Sequence, residues 1–375
     1  MHIVHVLTRL LRGGSEENTI ATCLWQAKAG HRVTLIHGRD FDPCWYGSHL
    51  PGVTLSELRD LVHPVHPVRD AQALRALRNR YRALRPDVVH THQSKAGILG
   101  RIAASAVPGA TVVHGAHIVP FAGAGFFRRN LYIAAERAAA RHTDFLIAVS
   151  QDVARQYVEA GICPAEDAHC VYSGMELDPF VDSSPPPDWR SLIGGVPSSP
   201  VVLMLAAFES RKRHIPFLRV FRDVLDKVPQ TRLLLAGSGP QEAKVREAVR
   251  ALELEDRVVF CGHRSDPAAL LAMADVSVLT SEREGLPRVV VQSIAAGCPV
   301  VVSALPGIGE IVQHRVNGLI TDADDLRANA RGIAAVLSDG DLRKRLRAGA
   351  RSTNVSRWSL EALGRETTDL YRMVS

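Results

Sequence analysis

The stretch LLLAGSGPQEAKV (233–245) sets an apolar run, a glycine turn and the start of an amphipathic segment in immediate succession. An unbroken apolar run reads as a strand covered on both faces. Pro240 suits the first turn of a helix, where no backbone N–H is needed. The arrangement recurs near the start of the chain. There HIVHVL leads into TRLLRGGSEENTIATCLWQA (8–27), with Gly13-Gly14 ahead of a helix expected from about Ser15. Working outward, short apolar runs and amphipathic segments alternate throughout. Strands are expected near 3–7, 32–37, 88–91, 111–114, 145–149 and 170–172, then near 201–205, 232–236, 258–261, 276–279 and 300–302. Alternation of this kind predicts parallel sheets covered by helices. The expected fold is α/β, with two Rossmann-like domains facing each other across a cleft.

At 375 residues the chain is long for a single core. The segment SSPPPDWRSLIGGVPSSP (183–200) is rich in Pro, Ser and Gly and reads as a connection. The expected division is a first domain over 1–180, a linker over 181–199, a second domain over 200–357 and a final helix over 358–375 that packs back on the first domain. The opening residues lack a basic leader and a cleavage site, so a strand rather than a signal peptide is expected there. No apolar run approaches the roughly 20 residues of a bilayer span. Six scattered cysteines without a C-x-x-C pair read as reduced thiols in a cytoplasmic protein. The formal net charge is +6, and residues 1–175 carry 19 Lys/Arg against 14 Asp/Glu, so the first half holds most of the excess. That predicts an anionic partner for this half. Nucleic acid is not expected, because the basic residues are not interleaved with a reading motif.

Several loops carry candidate chemistry. Gly13 and Gly14 lie where free helix-start amides bind anions. Gly237 and Gly239 repeat that arrangement, and Gly307 in SALPGIGEIVQ (303–313) precedes what reads as another helix. FESRKRH (208–214) brings Arg211, Lys212, Arg213 and His214 to the carboxyl end of a strand, a place for phosphate or simply a solvated surface. His90, His92, His114 and His117 end two strands. No cysteine or carboxylate completes a closed zinc site, so polar roles at the cleft mouth are expected and no metal.

Taken together, RGGSEE, PDVVHTHQSKAGILGR (86–101), AHIVPF (116–121), ERAAARHTDFLIAVS (136–150), KRH, LLLAGSGP, REGLPRVVVQSIAAGCPVV and PGIGEIV resemble the retaining glycosyltransferases of family 4, of GT-B fold. The resemblance spans nearly the whole chain and lies closest to bacterial enzymes of surface polysaccharide assembly, such as lipopolysaccharide or capsule. It implies a nucleotide-sugar donor, a UDP-sugar by preference, bound mainly by the second domain, and a saccharide or lipid-linked saccharide acceptor on the first. No cofactor and no catalytic metal are implied. By motif, the catalytic candidates are His117, Glu284 and Lys212. The donor candidates are Gly13, Gly14, Arg211, Gly237, Gly239, Gly285, Leu286, Gln292, Gly307 and Ile308. The acceptor candidates are His92, Ser94, Lys95, Phe126 and Arg128. Lys212 would meet the diphosphate, Glu284 the sugar hydroxyls, and His117 the region near the reacting sugar.

Three positions depart from the family pattern. Ala207 stands where Arg or Asn is common, Ile118 where Gly is usual, and Gln292 where a second Glu takes the ribose hydroxyls. The departures keep two other readings open: a GT-B sugar-nucleotide epimerase or hydrolase, and a non-catalytic nucleotide-sugar-binding protein. Finally, the basic stripe Arg75, Arg78, Arg82, Arg85 and the stretch GAGFFRRN (123–130) suggest peripheral contact with the inner membrane leaflet.

Overall fold

The apolar runs form strands because each is covered on both faces. In the first strand Ile3, Val4, Val6 and Leu7 are all fully buried. The computed structural model describes residues 1–46, 50–123, 125–194 and 198–374. It resolves into two compact units, Met1–Met175 with Ser356–Ser375, and Glu176–Val355.

The first unit holds a seven-stranded sheet: β1 (His2–Leu10), β2 (Arg32–Phe41), β3 (Val53–Leu58), β4 (Val88–His92), β5 (Thr111–Ala116), β6 (Phe145–Ala148) and β7 (Ala168–Cys170). All pairings are parallel, in the order β3-β2-β1-β4-β5-β6-β7. The second unit holds β8 (Val201–Leu205), β9 (Arg232–Ala236), β10 (Val258–Gly262), β11 (Val276–Leu279), β12 (Val300–Ser303) and β13 (Gly318–Thr321), again all parallel, in the order β10-β9-β8-β11-β12-β13. Each unit is therefore Rossmann-like. Each sheet reverses its winding once, between β1 and β4 in the first unit and between β8 and β11 in the second. Crevices at such reversals are where open α/β sheets bind ligands.

Two strands, β3 and β13, were not expected from sequence. Both lie at a sheet edge. An edge strand is covered less completely, so VTLSEL over β3 alternates and stays mostly half-buried instead of forming an apolar run. The span 181–199 is not a simple linker. It carries the helix Trp189–Ile193, and Ile193 is fully buried against Val201, Leu203 and Leu234 of the second unit, together with Phe180. Its Pro and Ser content reflects short turns between these anchors; residues 195–197 lie outside the described residues.

The helix Leu360–Val374 belongs to the first unit, where Leu363 and Tyr371 join Ile3, Val88 and Val113 in one cluster. It crosses the helix Gly14–Lys28 at Gly364. A Cβ there would lie 2.1 Å from Trp25 Cγ, so only glycine permits the approach. Trp25 Nε1 also donates to Glu361 at 2.8 Å. No helix of the described residues is long and apolar enough to cross a membrane. The six cysteines are unpaired; Cys23 and Cys298 are buried, and the other four are half-buried.

Candidate active site

In the second unit the loops after β8 and β11 are stitched together at the point of reversal. Glu282 N donates to Arg211 O at 2.9 Å, and Thr280 Oγ1 donates to Lys212 O at 3.0 Å. This backbone framework brings three charged side chains together. Lys212 Nζ donates to Glu284 Oε1 at 2.5 Å, and Arg211 Nη1 donates to Glu284 Oε2 at 2.9 Å. The Glu284 and Lys212 side chains are only 10% and 12% exposed, so water screens the pair weakly. Burial pushes the Glu284 carboxyl up, but the attraction of Lys212 and Arg211 outweighs it and holds the group below its usual range. Glu284 is thus an anionic acceptor beside two fixed cations.

The other basic residues of this loop point elsewhere. Arg213 takes a left-handed backbone (φ 59°) and donates to Ala323 O at 2.7 Å. His214 is buried with its ring 4.7 Å from Phe208, and burial lowers its pKa to about 4, so it offers no charge to a phosphate. Ala207 supplies no cation, but Arg211 reaches Glu284 from the same loop.

The glycines after β9 have a packing role. A Cβ on Gly237 would lie 2.2 Å from Ala206 O, and one on Gly239 2.7 Å from Phe208 O. The Gly237 N–H donates to Gly262 O at 2.8 Å and is spent. The expected phosphate-binding amide there is therefore corrected to a close crossing of two loops. After Gly307 (φ 75°) stands a single 3-10 turn, Ile308–Glu310, rather than the expected helix. Ile308, Ile311 and Val312 all turn inward, a spacing that no amphipathic helix would give. Gly285 and Leu286 are buried and lead into the helix Arg288–Ala295, anchored by Val290, Val291 and Ile294. Gln292 is half-buried in the second turn of that helix.

In the first unit the helix Gly14–Lys28 starts directly behind β1, with Gly13 as its cap. The expected anion site there already carries a carboxylate. Glu16 is buried, accepts from Ser15 Oγ at 2.6 Å and from Gln93 Nε2 at 3.1 Å, and its Oε2 lies 2.8 Å from where a Gly13 Cβ would sit. Gly13 is thus required by Glu16, an acid at the positive end of a helix. Gln93, at φ 59°, closes the same crevice by accepting from Thr8 N and Arg9 N at 2.9 and 3.0 Å. Sequence reading passed over Glu16 and Gln93. A non-glycine residue with positive φ right after a central strand is the structural mark of Gln93.

Histidines line the core behind this crevice. His117 Nε2 lies 3.0 Å from His92 Nδ1, His92 Nε2 lies 3.0 Å from His5 Nδ1, and His5 Nε2 lies 2.9 Å from Gln26 Oε1. His90 Nδ1 meets Tyr371 Oη at 2.6 Å, and His114 Nδ1 meets Thr91 Oγ1 at 3.1 Å. Burial pushes all five imidazoles down, His5 and His117 to about 4, so they are neutral near pH 7. Ring nitrogens of His5, His90 and His92 fall within 4.8 Å of one another. The His5–His92 hydrogen bond accounts for the approach of that pair, and no carboxylate joins the group.

Four expected acceptor contacts need correction. His92 is buried and has both ring nitrogens engaged by other histidines, so it cannot meet an acceptor. Lys95 is tied to Asp70 at 2.6 Å and to Pro64 O, and serves to hold the helix Pro67–Leu84. Phe126 and Arg128 lie not in a loop but in the first turn of the helix Phe126–Ala140. Phe126 and Phe127 are strongly exposed, and Arg128 donates to Tyr132 Oη at 3.4 Å. Ser94 is half-buried at the start of the helix Ser94–Ala104. Ile118 is 57% exposed, so it does not fill a pocket wall within its own unit.

Residues 12–179 match the family described as Glycosyltransferase Family 4, and residues 193–353 the family described as Glycosyl transferases group 1. The chain is 26% identical over 235 residues to the N-acetyl-alpha-D-glucosaminyl L-malate synthase of Bacillus anthracis. That match covers 63% of this chain and 61% of the synthase, under two thirds of that relative's length. It is 25% identical over 277 residues to the UDP-Gal:alpha-D-GlcNAc-diphosphoundecaprenol alpha-1,3-galactosyltransferase of Escherichia coli, covering 72% of this chain and 71% of that enzyme. Among solved structures, Anabaena Alr3699/HepE in complex with UDP shares the fold, with a TM-score of 0.79 over the whole of both chains at 21% identity.

Proposed function

We propose, for a chain that belongs to the family 4 glycosyltransferases of GT-B fold, that it moves a sugar from a nucleotide-diphosphate donor to a hydroxyl of a saccharide or lipid-linked saccharide, with retention at the anomeric carbon. The observation that carries the reading is the Arg211–Lys212–Glu284 cluster at the point of reversal in the second sheet. Breaking a sugar–diphosphate bond puts positive charge on the ring and negative charge on the departing phosphate. Fixed cations at the phosphate and an anion at the sugar match that separation. Lys212 meets the diphosphate, with Arg211 standing in for the cation absent at Ala207. Glu284 accepts from the sugar hydroxyls and favours the cationic ring. Gln292 takes the ribose hydroxyls. The acceptor oxygen bonds to the anomeric carbon on the face the phosphate leaves, and its proton passes to a phosphate oxygen, so no separate base is required. His117 hydrogen-bonds near the sugar, a role taken from the resemblance. UDP is the preferred nucleotide, in keeping with the names of the galactosyltransferase relative and of the UDP-bound structure.

A panel of UDP- and GDP-sugars with and without candidate acceptors, read by product mass spectrometry, tests this. Transfer to an acceptor supports the reading. Fast epimerisation or hydrolysis without acceptor would replace it with the epimerase reading, and nucleotide binding without any chemistry would replace it with a binding protein.

The same reading places the enzyme at the inner face of a membrane. Phe127 and Leu131, one helical turn apart, are 87% and 72% exposed beside Arg128 and Arg129. Apolar and cationic groups together favour an anionic lipid surface. Flotation with phosphatidylglycerol vesicles should carry the protein and should weaken in Phe127→Ser/Leu131→Ser. Full activity on a soluble acceptor with no flotation would remove this part of the proposal.

A further inference from the structure

We infer that a hydrogen-bond chain anchored on the C-terminal helix fixes the tautomer of His117, with Thr368, Gln26, His5 and His92 as positioning residues that keep its proton on Nε2 and leave Nδ1 a bare acceptor. The direction of each bond follows from the one before it. Thr368 Oγ1 donates its single proton to Gly364 O at 2.7 Å. Towards Gln26, 3.4 Å away, it can therefore only accept, which assigns that side of the Gln26 amide as the NH2. Tyr371 agrees. It donates to His90 Nδ1 at 2.6 Å and so accepts from the same Gln26 nitrogen at 3.4 Å.

With the NH2 turned to the C-terminal helix, Gln26 presents its carbonyl to His5 Nε2 at 2.9 Å. A carbonyl cannot donate, so His5 carries its proton on Nε2. His5 is completely buried and neutral, so its Nδ1 is an acceptor, and His92 Nε2 at 3.0 Å must donate to it. The same step repeats. His92 Nδ1 accepts, and His117 Nε2 at 3.0 Å donates. The neutral His117 ring then has no proton on Nδ1. Reversing the chain would turn the Gln26 carbonyl onto a hydroxyl whose proton is already spent, and its NH2 onto His5. A buried polar group left unpaired in this way disfavours the reversed chain by about tenfold or more.

Sequence supports the design of the chain. His5 and His92 stand directly on the two central strands β1 and β4 at the reversal, while Gln26 comes from the first helix and Thr368 from the last. Gly115 makes room for it, since a Cβ there would lie 2.6 Å from His92 Nδ1. The consequence deepens the reading that His117 faces the sugar, and rests on it. A bare Nδ1 accepts from a substrate hydroxyl and has nothing to donate to an ether or carbonyl oxygen.

The test does not depend on activity. Long-range 1H–15N spectra of the full chain labelled with 15N-histidine report each ring's protonated nitrogen, and His117→Asn identifies the His117 signal. The expected result is a neutral His117 protonated on Nε2. Gln26→Met, of similar volume, should let an Nδ1–H population of His117 emerge, although residue 26 is three hydrogen bonds away. Thr368→Val should move it in the same direction and Thr368→Ser should restore it. A wild-type His117 protonated on Nδ1, an unchanged tautomer in Gln26→Met, or a zinc ion bound to His5 and His92 would each overturn the inference. If the tautomer is as expected but no sugar transfer is found, the chain stands and the reading of His117 as a sugar contact falls.

Discussion

The two sheets reverse their winding in the same way, yet the chemistry gathered at the two reversals is opposite in kind. Between β8 and β11 the side chains are ionic: Arg211, Lys212 and Glu284, two cations on one carboxylate. Between β1 and β4 they are neutral: Gln93 clasping strand ends, and behind it a row of uncharged histidines. Topology sets where a ligand can sit, but the residues delivered there decide what it is. A charged crevice suits a diphosphate. A neutral, fully hydrogen-bonded one suits a hydroxyl, whose recognition depends on the direction of each donor and acceptor. Thirteen of the sixteen histidines fall before residue 176, which makes the first unit the one that responds to acid.

The contrast can be broken most sharply at Glu284. Glu284→Ala should lower turnover by about 10³-fold, because the sugar loses its anionic partner and the two cations lose theirs. Thermal unfolding of the variant separates lost chemistry from lost fold, and Glu284→Gln repeats the test with the shape retained. Wild-type turnover in either variant would remove the charged crevice from the mechanism.

Acid sharpens the contrast next. The folded-state pKa of His5 is lowered to about 4 against an ordinary 6.5. Between those values the unfolded chain binds more protons, so this part of the stability is complete above about pH 6.5 and is lost as the pH falls towards 4. For His5 alone the effect is roughly 3 kcal/mol. Hydrogen exchange at pH 7 and pH 4.5, corrected for intrinsic rates, should therefore show β1 and β4 losing protection before β8 and β11. Equal loss in both units would contradict the assignment of the titrating groups to the first.

The smallest effect is expected at Gln292. Replacing the neutral amide by a carboxylate in Gln292→Glu should tighten nucleotide binding by about fivefold, the difference between a neutral and a charged hydrogen bond of about 1 kcal/mol. A weaker affinity would place the ribose elsewhere.

The β-strands of the two centres were legible because burial on both faces writes itself as an apolar run. All eleven expected strands form, whereas the edge strands β3 and β13 escape because they are less completely covered. Lys212 and Glu284 were legible as motif residues, yet their contact, 72 residues apart in sequence, is a product of the reversal. Glycines misled in both units for one reason. Gly13 makes room for Glu16, and Gly237 and Gly239 for a neighbouring loop, and a sequence shows the missing side chain but not what occupies its place. His5, Gln26 and Thr368 left no signal, since a polar residue on a buried face acquires meaning only from partners distant in the chain.

The measurement closest to the central claim is calorimetric titration of UDP, with GDP alongside, onto wild-type protein and Lys212→Met. If the charged crevice of the second unit holds the diphosphate, losing one charge-assisted hydrogen bond there should weaken binding by at least about tenfold. An unchanged affinity would contradict the account, and the diphosphate would have to be sought away from Lys212.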